Sequence, residues 1–316
     1  MEYRQLGRAG IKVSRLCLGT NNFGAQVDEE TTMRIIKKAL DLGVNSIDTA
    51  NIYTGGRSEE LIGKAVRGTR EDLVIATKVG LTLDEAKPNS TGLSRKHMIW
   101  QLKESLKRLQ TDYVDLFYLH RFDPETRLEE TLTTVDGLVR EGMVRYVGCS
   151  NFSVEQLAEV DRVCESLGLE KPVAVQPEYN MLKRDIEADL LPYCRKEQLA
   201  VLAYSPLAGG FLTGKYRGAG SAPPPGSRAA SSKDYLDAIR TNGDYATLEV
   251  LSKSAAKARV SLRQLALAWV VRDPVVTSAI VGASTPDQVV ENARALEFKV
   301  DDSAFDRPSL AHSPKV

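Results

Sequence analysis

Residues 73–120, LVIATKVGLTLDEAKPNSTGLSRKHMIWQLKESLKRLQTDYVDLFYLH, contain one complete strand–helix–strand unit, and their reading decides the fold. Two short runs, Leu73–Val79 and Val114–His120, are apolar or β-branched almost throughout. Strands covered on both faces read this way. Between them, Arg95–Leu109 sets Ile99, Leu102, Leu106 and Leu109 in helical register, with Ser94 as its capping residue. Two strands joined through a helix run parallel.

The same rhythm extends in both directions. Further strands are predicted at Arg15–Gly19, Val44–Asp48, Val144–Ser150, Val173–Pro177, Ala200–Ser205 and Val276–Val281. A helix over Glu29–Leu42 has Met33, Ile36, Ala39 and Leu40 on one face. Helix starts are signalled by Ser153 with Glu155 and Gln156, and by Thr285-Pro286-Asp287. Eight such units in 316 residues predict an α/β fold of one domain, a closed (β/α)8 TIM barrel spanning 1–316. An open doubly wound sheet would carry G-x-G-x-x-G after its first strand, and LGTNNFG (Leu18–Gly24) lacks that spacing. Tyr3–Val13, with its GRAG turn, predicts a β-hairpin placed to plug the bottom of the barrel. Arg217–Ser232 is rich in Gly, Pro, Ala and Ser and predicts a long loop, neither helix nor strand, on the face where the strands end. The tail after about residue 298 has little periodicity and is expected to be loosely ordered.

Composition narrows the function. Forty-two Lys+Arg balance 42 Asp+Glu, so there is no net field to hold a polyanion, and a nucleic-acid partner is not expected. The four cysteines are scattered and only three histidines occur, which predicts neither a metal site nor a disulfide framework and fits a reducing, cytoplasmic compartment. The N-terminus is polar and no apolar run reaches bilayer length, so no membrane partner is expected. Both a monomer and a homo-oligomer fit these counts.

In a barrel, the ends of the strands build the active site. The second strand ends at Asp48, the third carries Lys78 at its end, the fourth ends at His120, and Tyr53 follows five residues after Asp48. One Lys or Asp at a strand end is usually a solvated rim residue, and one His or Tyr is ordinary. Four ionisable groups on one rim are costly to bury unless they pair.

These residues resemble the aldo-keto reductase family. The resemblance is carried in order by DTANIYTGGRSEELIG (Asp48–Gly63), ATK (Ala76–Lys78), VDLFYLH (Val114–His120), GCSNF (Gly148–Phe152), QPEYN (Gln176–Asn180), YSPLAGG (Tyr204–Gly210) and VGASTPDQVVEN (Val281–Asn292). It implies Asp48, Tyr53, Lys78 and His120 as a catalytic tetrad that reduces aldehydes or ketones. In that reading the Lys78 ammonium lowers the Tyr53 pKa toward a useful general acid, Asp48 holds Lys78, and His120 orients the carbonyl.

A hydride must come from a cofactor, since no side chain donates one. The resemblance implies NADPH/NADP+. It places Ser150, Asn151 and Gln176 at the carboxamide and Tyr204 against the nicotinamide ring. Lys215, Arg228 and Ser284 fall at the phosphates, and Gln288, Glu291 and Asn292 near the adenine. Gly19, Thr20, Asn21, Asp48, Ser205, Pro206, Leu207, Gly209 and Gly282 are implied as further cofactor contacts. The helix opening at Thr285-Pro286 is expected to offer free N–H groups to a phosphate. Only 24 residues follow Asn292, so the substrate pocket is expected to be open and formed by Asn21, Asn22, Phe23, Tyr53, Arg121, Phe122, Asp123 and Tyr179. Position 284 is Ser where many relatives of this length have Arg. The branch resembled is the short-tailed one near potassium-channel β-subunit and bacterial members. The channel branch has Asn in place of the catalytic His, whereas His120 is kept here. An NADP(H)-binding redox sensor with slow turnover is the alternative. A phosphate-binding isomerase or lyase would need a glycine-rich phosphate loop where Tyr204-Ser205-Pro206 stands.

Overall fold

The computed structural model describes residues 1–298 except 83, 85, 217, 219, 220, 226, 236 and 238–244. The expectation for the tail after about residue 298 lies outside the described residues.

Eight parallel strands close into a barrel in the order β10-β3-β4-β5-β6-β7-β8-β9. They are β3 (Leu16–Gly19), β4 (Ser46–Asp48), β5 (Val74–Val79), β6 (Val114–Leu119), β7 (Val144–Ser150), β8 (Ala174–Gln176), β9 (Ala200–Ala203) and β10 (Val276–Gly282). The (β/α)8 expectation holds, and the differences lie at strand ends. Val44 donates its N–H to Ala39 O, so it closes the turn after a helix instead of opening β4. Tyr204 reaches only an isolated bridge to Glu178 beyond β9.

The helices that cover the barrel start where capping chemistry predicts. Helix α1 (Glu29–Asp41) is capped by Asp28, which accepts from Thr31 N, and α3 (Arg95–Leu109) by Ser94, which accepts from His97 N. Between them lies α2 (Arg57–Ala65), followed after α3 by α4 (Leu128–Arg140). Ser153 and Gln156 form a reciprocal capping box at α5 (Val154–Leu167). The later helices are α6 (Leu190–Lys196), α7 (Arg228–Ser231), α8 (Tyr245–Lys257), α9 (Leu262–Val270) and α10 (Pro286–Ala295). Helix α7 corrects the expectation of a purely irregular stretch over 217–232. Its amides have helical partners, with Ala230 N donating to Ser227 O. No described helix is long and apolar enough to cross a membrane.

Side chains alternate between the two faces of a strand, so the barrel interior takes every second residue. Cys17, Ala76, Leu116, Tyr118, Ala174, Leu202 and Ile280 fill it. The hairpin of β1 (Tyr3–Gln5) and β2 (Lys12–Ser14) closes the bottom, with Leu6, Ala9 and Val13 in this same cluster. Gly7 is required there. It has φ +57°, and a Cβ would come within 2.3 Å of Val173 O. The apolar faces of the helices pack around the outside in the larger core. All four cysteines are free and buried.

Candidate active site

Continuing the alternation one step beyond the interior cluster assigns the site. The last inward positions are Gly19, Asp48, Lys78, His120, Ser150, Gln176, Tyr204 and Gly282, one from each strand or its immediate end. Register supports this: Gly19 pairs with both Asp48 and Gly282, and Ser150 with Gln176. Seven of the eight line a cavity of about 430 Å³, within the range of small-molecule sites. Lys78 lies beneath it, fully buried.

The buried ammonium organises the centre. Lys78 Nζ donates to Asp48 Oδ1 at 2.5 Å, to Thr49 O at 2.8 Å and to Tyr53 Oη at 3.3 Å. Asp48 Oδ2 accepts from Gln176 Nε2 at 2.7 Å. Gln176 therefore helps fix the carboxylate that holds the lysine while also lining the cavity. A turn of left-handed residues, Thr54, Gly55 and Gly56 (φ 50°, 66° and 92°), returns the chain after Tyr53. A β-branched residue there is strained. Thr54 is held by donating Oγ1–H to Phe23 O at 2.8 Å and accepting from Ser58 N at 3.1 Å.

Burial and charge set the protonation states. Burial pulls the Lys78 ammonium down, but Asp48 and Tyr53 together outweigh it and the net shift is upward, so it stays charged. Burial also raises the Tyr53 phenol above its ordinary value; Lys78 opposes this without overcoming it. That corrects the expected lowering: in this environment the phenol is a firmly protonated acid. His120 is pushed down to about 3 by burial and by Lys78 and Arg121, and is a neutral imidazole. Its ring meets Tyr53 edge-on at 6.3 Å.

Asn151 ties the strand ends together. Its Nδ2 donates to His120 O at 3.1 Å and to Ser150 Oγ at 3.0 Å, while its Oδ1 accepts from Tyr204 Oη at 2.9 Å. Along the rest of the cavity run Thr20, Asn21, Ser205, Pro206, Leu207, Gly209, Lys215, Ser284, Gln288 and Asn292. Glu291 is paired with Arg263, which lines the cavity. The Arg228 side chain lies outside the described residues.

Several sequence-based expectations for this region are corrected. At the start of α10, Ser284 N donates to Gln288 Oε1 at 2.8 Å and Gln288 N to Thr285 Oγ1 at 3.3 Å, while Pro286 has no N–H. Tyr179 is not in the pocket; its phenol donates to Glu187 Oε1 at 2.6 Å and its ring packs on Trp269 at 5.0 Å. Phe23 is buried in the outer core, and Phe122 packs edge-on against Phe152. Asp123 is taken by Leu93 N at 2.7 Å and Thr126 Oγ1 at 2.7 Å.

Arg263 is the functional candidate that sequence reasoning missed. Helix α9 runs antiparallel to the strands, so its first turn lies at the catalytic rim. The capping box of Ser261 and Gln264 was the available signal, since it puts Arg263 in that first turn.

A dinucleotide fits this wall. The buried Oδ1 atoms of Asn22 and Asn292 have no partner among the described residues, and both residues border the cavity. An unmet buried acceptor costs about 1–3 kcal/mol, which a ligand amide or amine would relieve. Lys215 and Arg263 add cations of the kind a phosphate requires.

The Aldo/keto reductase family model matches residues 15–308, and the chain belongs to that family of oxidoreductases. Among its relatives, a protein named probable voltage-gated potassium channel subunit beta from Oryza sativa subsp. japonica is 40% identical over 304 residues, covering 94% of this chain and 92% of that one. The uncharacterized oxidoreductase YrpG of Bacillus subtilis (strain 168) is 39% identical over 311 residues, covering 95% and 93%. A putative voltage-gated potassium channel subunit beta from Schizosaccharomyces pombe is 39% identical over 315 residues, covering 94% and 88%.

Proposed function

We propose that the chain reduces aldehydes and ketones to alcohols with NADPH, Tyr53 acting as general acid. The observation that carries this reading is the use of the lysine's donors. An ammonium has three N–H groups and no acceptor, and those of Lys78 go to Asp48, Thr49 O and the Tyr53 oxygen. The phenol's own O–H is left to point elsewhere, toward a carbonyl oxygen in the cavity. NADPH, when bound, supplies the hydride for the carbonyl carbon. Tyr53 gives its proton to the oxygen as negative charge develops there, and the Lys78 ammonium stabilises the phenolate left behind until solvent reprotonates it. His120, neutral, donates a hydrogen bond to the same oxygen. Ser150, Asn151 and Tyr204 would hold the nicotinamide end, Gln288 and Asn292 the adenine end, and Lys215 with Arg263 the 2′-phosphate.

The relatives named as channel subunits favour a second reading, an NADP(H)-binding regulatory protein with slow turnover. Following NADPH consumption with sugars, aromatic aldehydes and small ketones separates the two. Sustained turnover supports the enzyme, and NADPH binding without turnover across the panel supports the sensor.

Two further results are expected. Lys215→Ala raises the Kd for NADPH by roughly 10–100-fold, the loss of one charge-assisted contact, and changes that for NADH far less; equal losses in a fluorescence titration would remove Lys215 from the 2′-phosphate. The pH profile follows from the protonation states. The acid must be protonated and its pKa is raised by burial, so kcat/KM for reduction stays level through neutral pH and falls only on the alkaline side of the ordinary phenol range. An acidic limb near the ordinary imidazole value, assigned to His120 by its loss in His120→Asn, would contradict a neutral His120.

A further inference from the structure

We infer that the site selects carbonyl compounds bearing a carboxylate, and that Arg121 recognises it. This rests on the reductase reading and names its substrate class. Arg121 follows His120 directly, is exposed, and borders the same cavity as His120 and Tyr53. No carboxylate among the described residues pairs with it. Asp123, two residues on, is spent on Leu93 N, Glu125 N and Thr126 Oγ1. Asp48 is held by Lys78 and Gln176, and Glu178 stands 3.9 Å from Lys183.

The other cations at the cavity are accounted for. Lys78 is bound to Asp48 and Arg263 to Glu291. Lys215 lies with the turn after β9, over the Tyr216 ring and near Gly210, away from the β6 end that carries Arg121. Among the described residues, Arg121 is thus a cavity-lining cation next to His120 with no carboxylate partner. Its field reaches that centre: it helps lower His120 and opposes the upward shift of the Tyr204 phenol. A guanidinium presents a planar fork that a carboxylate matches with two parallel hydrogen bonds. A substrate anion docked there holds the carbonyl end between His120 and Tyr53, so chain length between carboxylate and carbonyl becomes a selection rule.

The test compares kcat/KM for succinic semialdehyde and its neutral methyl ester in the parent, Arg121→Leu and Arg121→Lys. The parent is expected to favour the acid by about ten-fold or more, less at high salt. The ratio collapses toward unity in Arg121→Leu and is partly kept in Arg121→Lys. A parent ratio near one, or the same ratio in Arg121→Leu, overturns the inference while turnover of the ester keeps the reductase reading intact. If neither aldehyde is reduced, that reading fails, and thermal-shift titration still reads the anion site. Stabilisation by butyrate over butyramide in the parent, lost in Arg121→Leu, supports it; no difference between the two ligands overturns it.

Discussion

Tyr53→Phe is expected to lower kcat for carbonyl reduction by roughly 10²–10⁴-fold, the span of positioned general acid catalysis, with NADPH binding close to that of the parent. The substitution removes the oxygen that accepts from Lys78 at 3.3 Å and that, in the proposed reaction, carries the proton for the substrate. Lys78 keeps its contacts with Asp48 and Thr49 O, so the barrel rim stays in place. Stopped-flow kinetics and equilibrium titration on the same preparation check both halves. Rapid turnover in Tyr53→Phe would remove the phenol from proton transfer, and lost NADPH binding would show that the ring is structural.

Lys78→Met has the largest expected effect on stability. Lys78 is 0% and Asp48 2% exposed, so the change leaves a buried carboxylate with Gln176 as its one remaining side-chain partner among the described residues. Breaking a buried pair in this way costs about 3–5 kcal/mol. The double variant Asp48→Asn with Lys78→Met removes the lone charge, and most of the stability returns while activity stays lost. Urea unfolding of the parent, both single variants and the double variant gives the coupling directly. Strictly additive losses would contradict a pair in which each charge exists to hold the other.

The barrel was legible because parallel strands buried on both faces read as short apolar runs, and the helices between them carry caps such as Ser94, Ser153 and Thr285. Strand ends were less so. Val44 looks like a strand residue, but its N–H is committed to Ala39 O, a choice made by the end of α1 rather than by side-chain type. The tetrad stood out because Asp48, Lys78 and His120 each end an apolar strand. Tyr179 misled for a reason of parity. Gln176 points inward, so a residue three further along points out, where Trp269 and Arg272 receive its ring and hydroxyl. Arg263 was overlooked although the capping box of Ser261 and Gln264 marks the start of α9 and puts it in the first turn. Net pKa shifts are also beyond sequence: the Lys78–Tyr53 pairing could be expected, but not that desolvation would outweigh it.

Label transfer from NADPH deuterated at both positions of nicotinamide C4 tests the central claim most directly. With an aldehyde substrate, mass spectrometry of the alcohol should find one deuterium on the carbinol carbon in the parent, and almost no product with Tyr53→Phe. Alcohol formed without that label, or at the parent rate in Tyr53→Phe, would contradict the account.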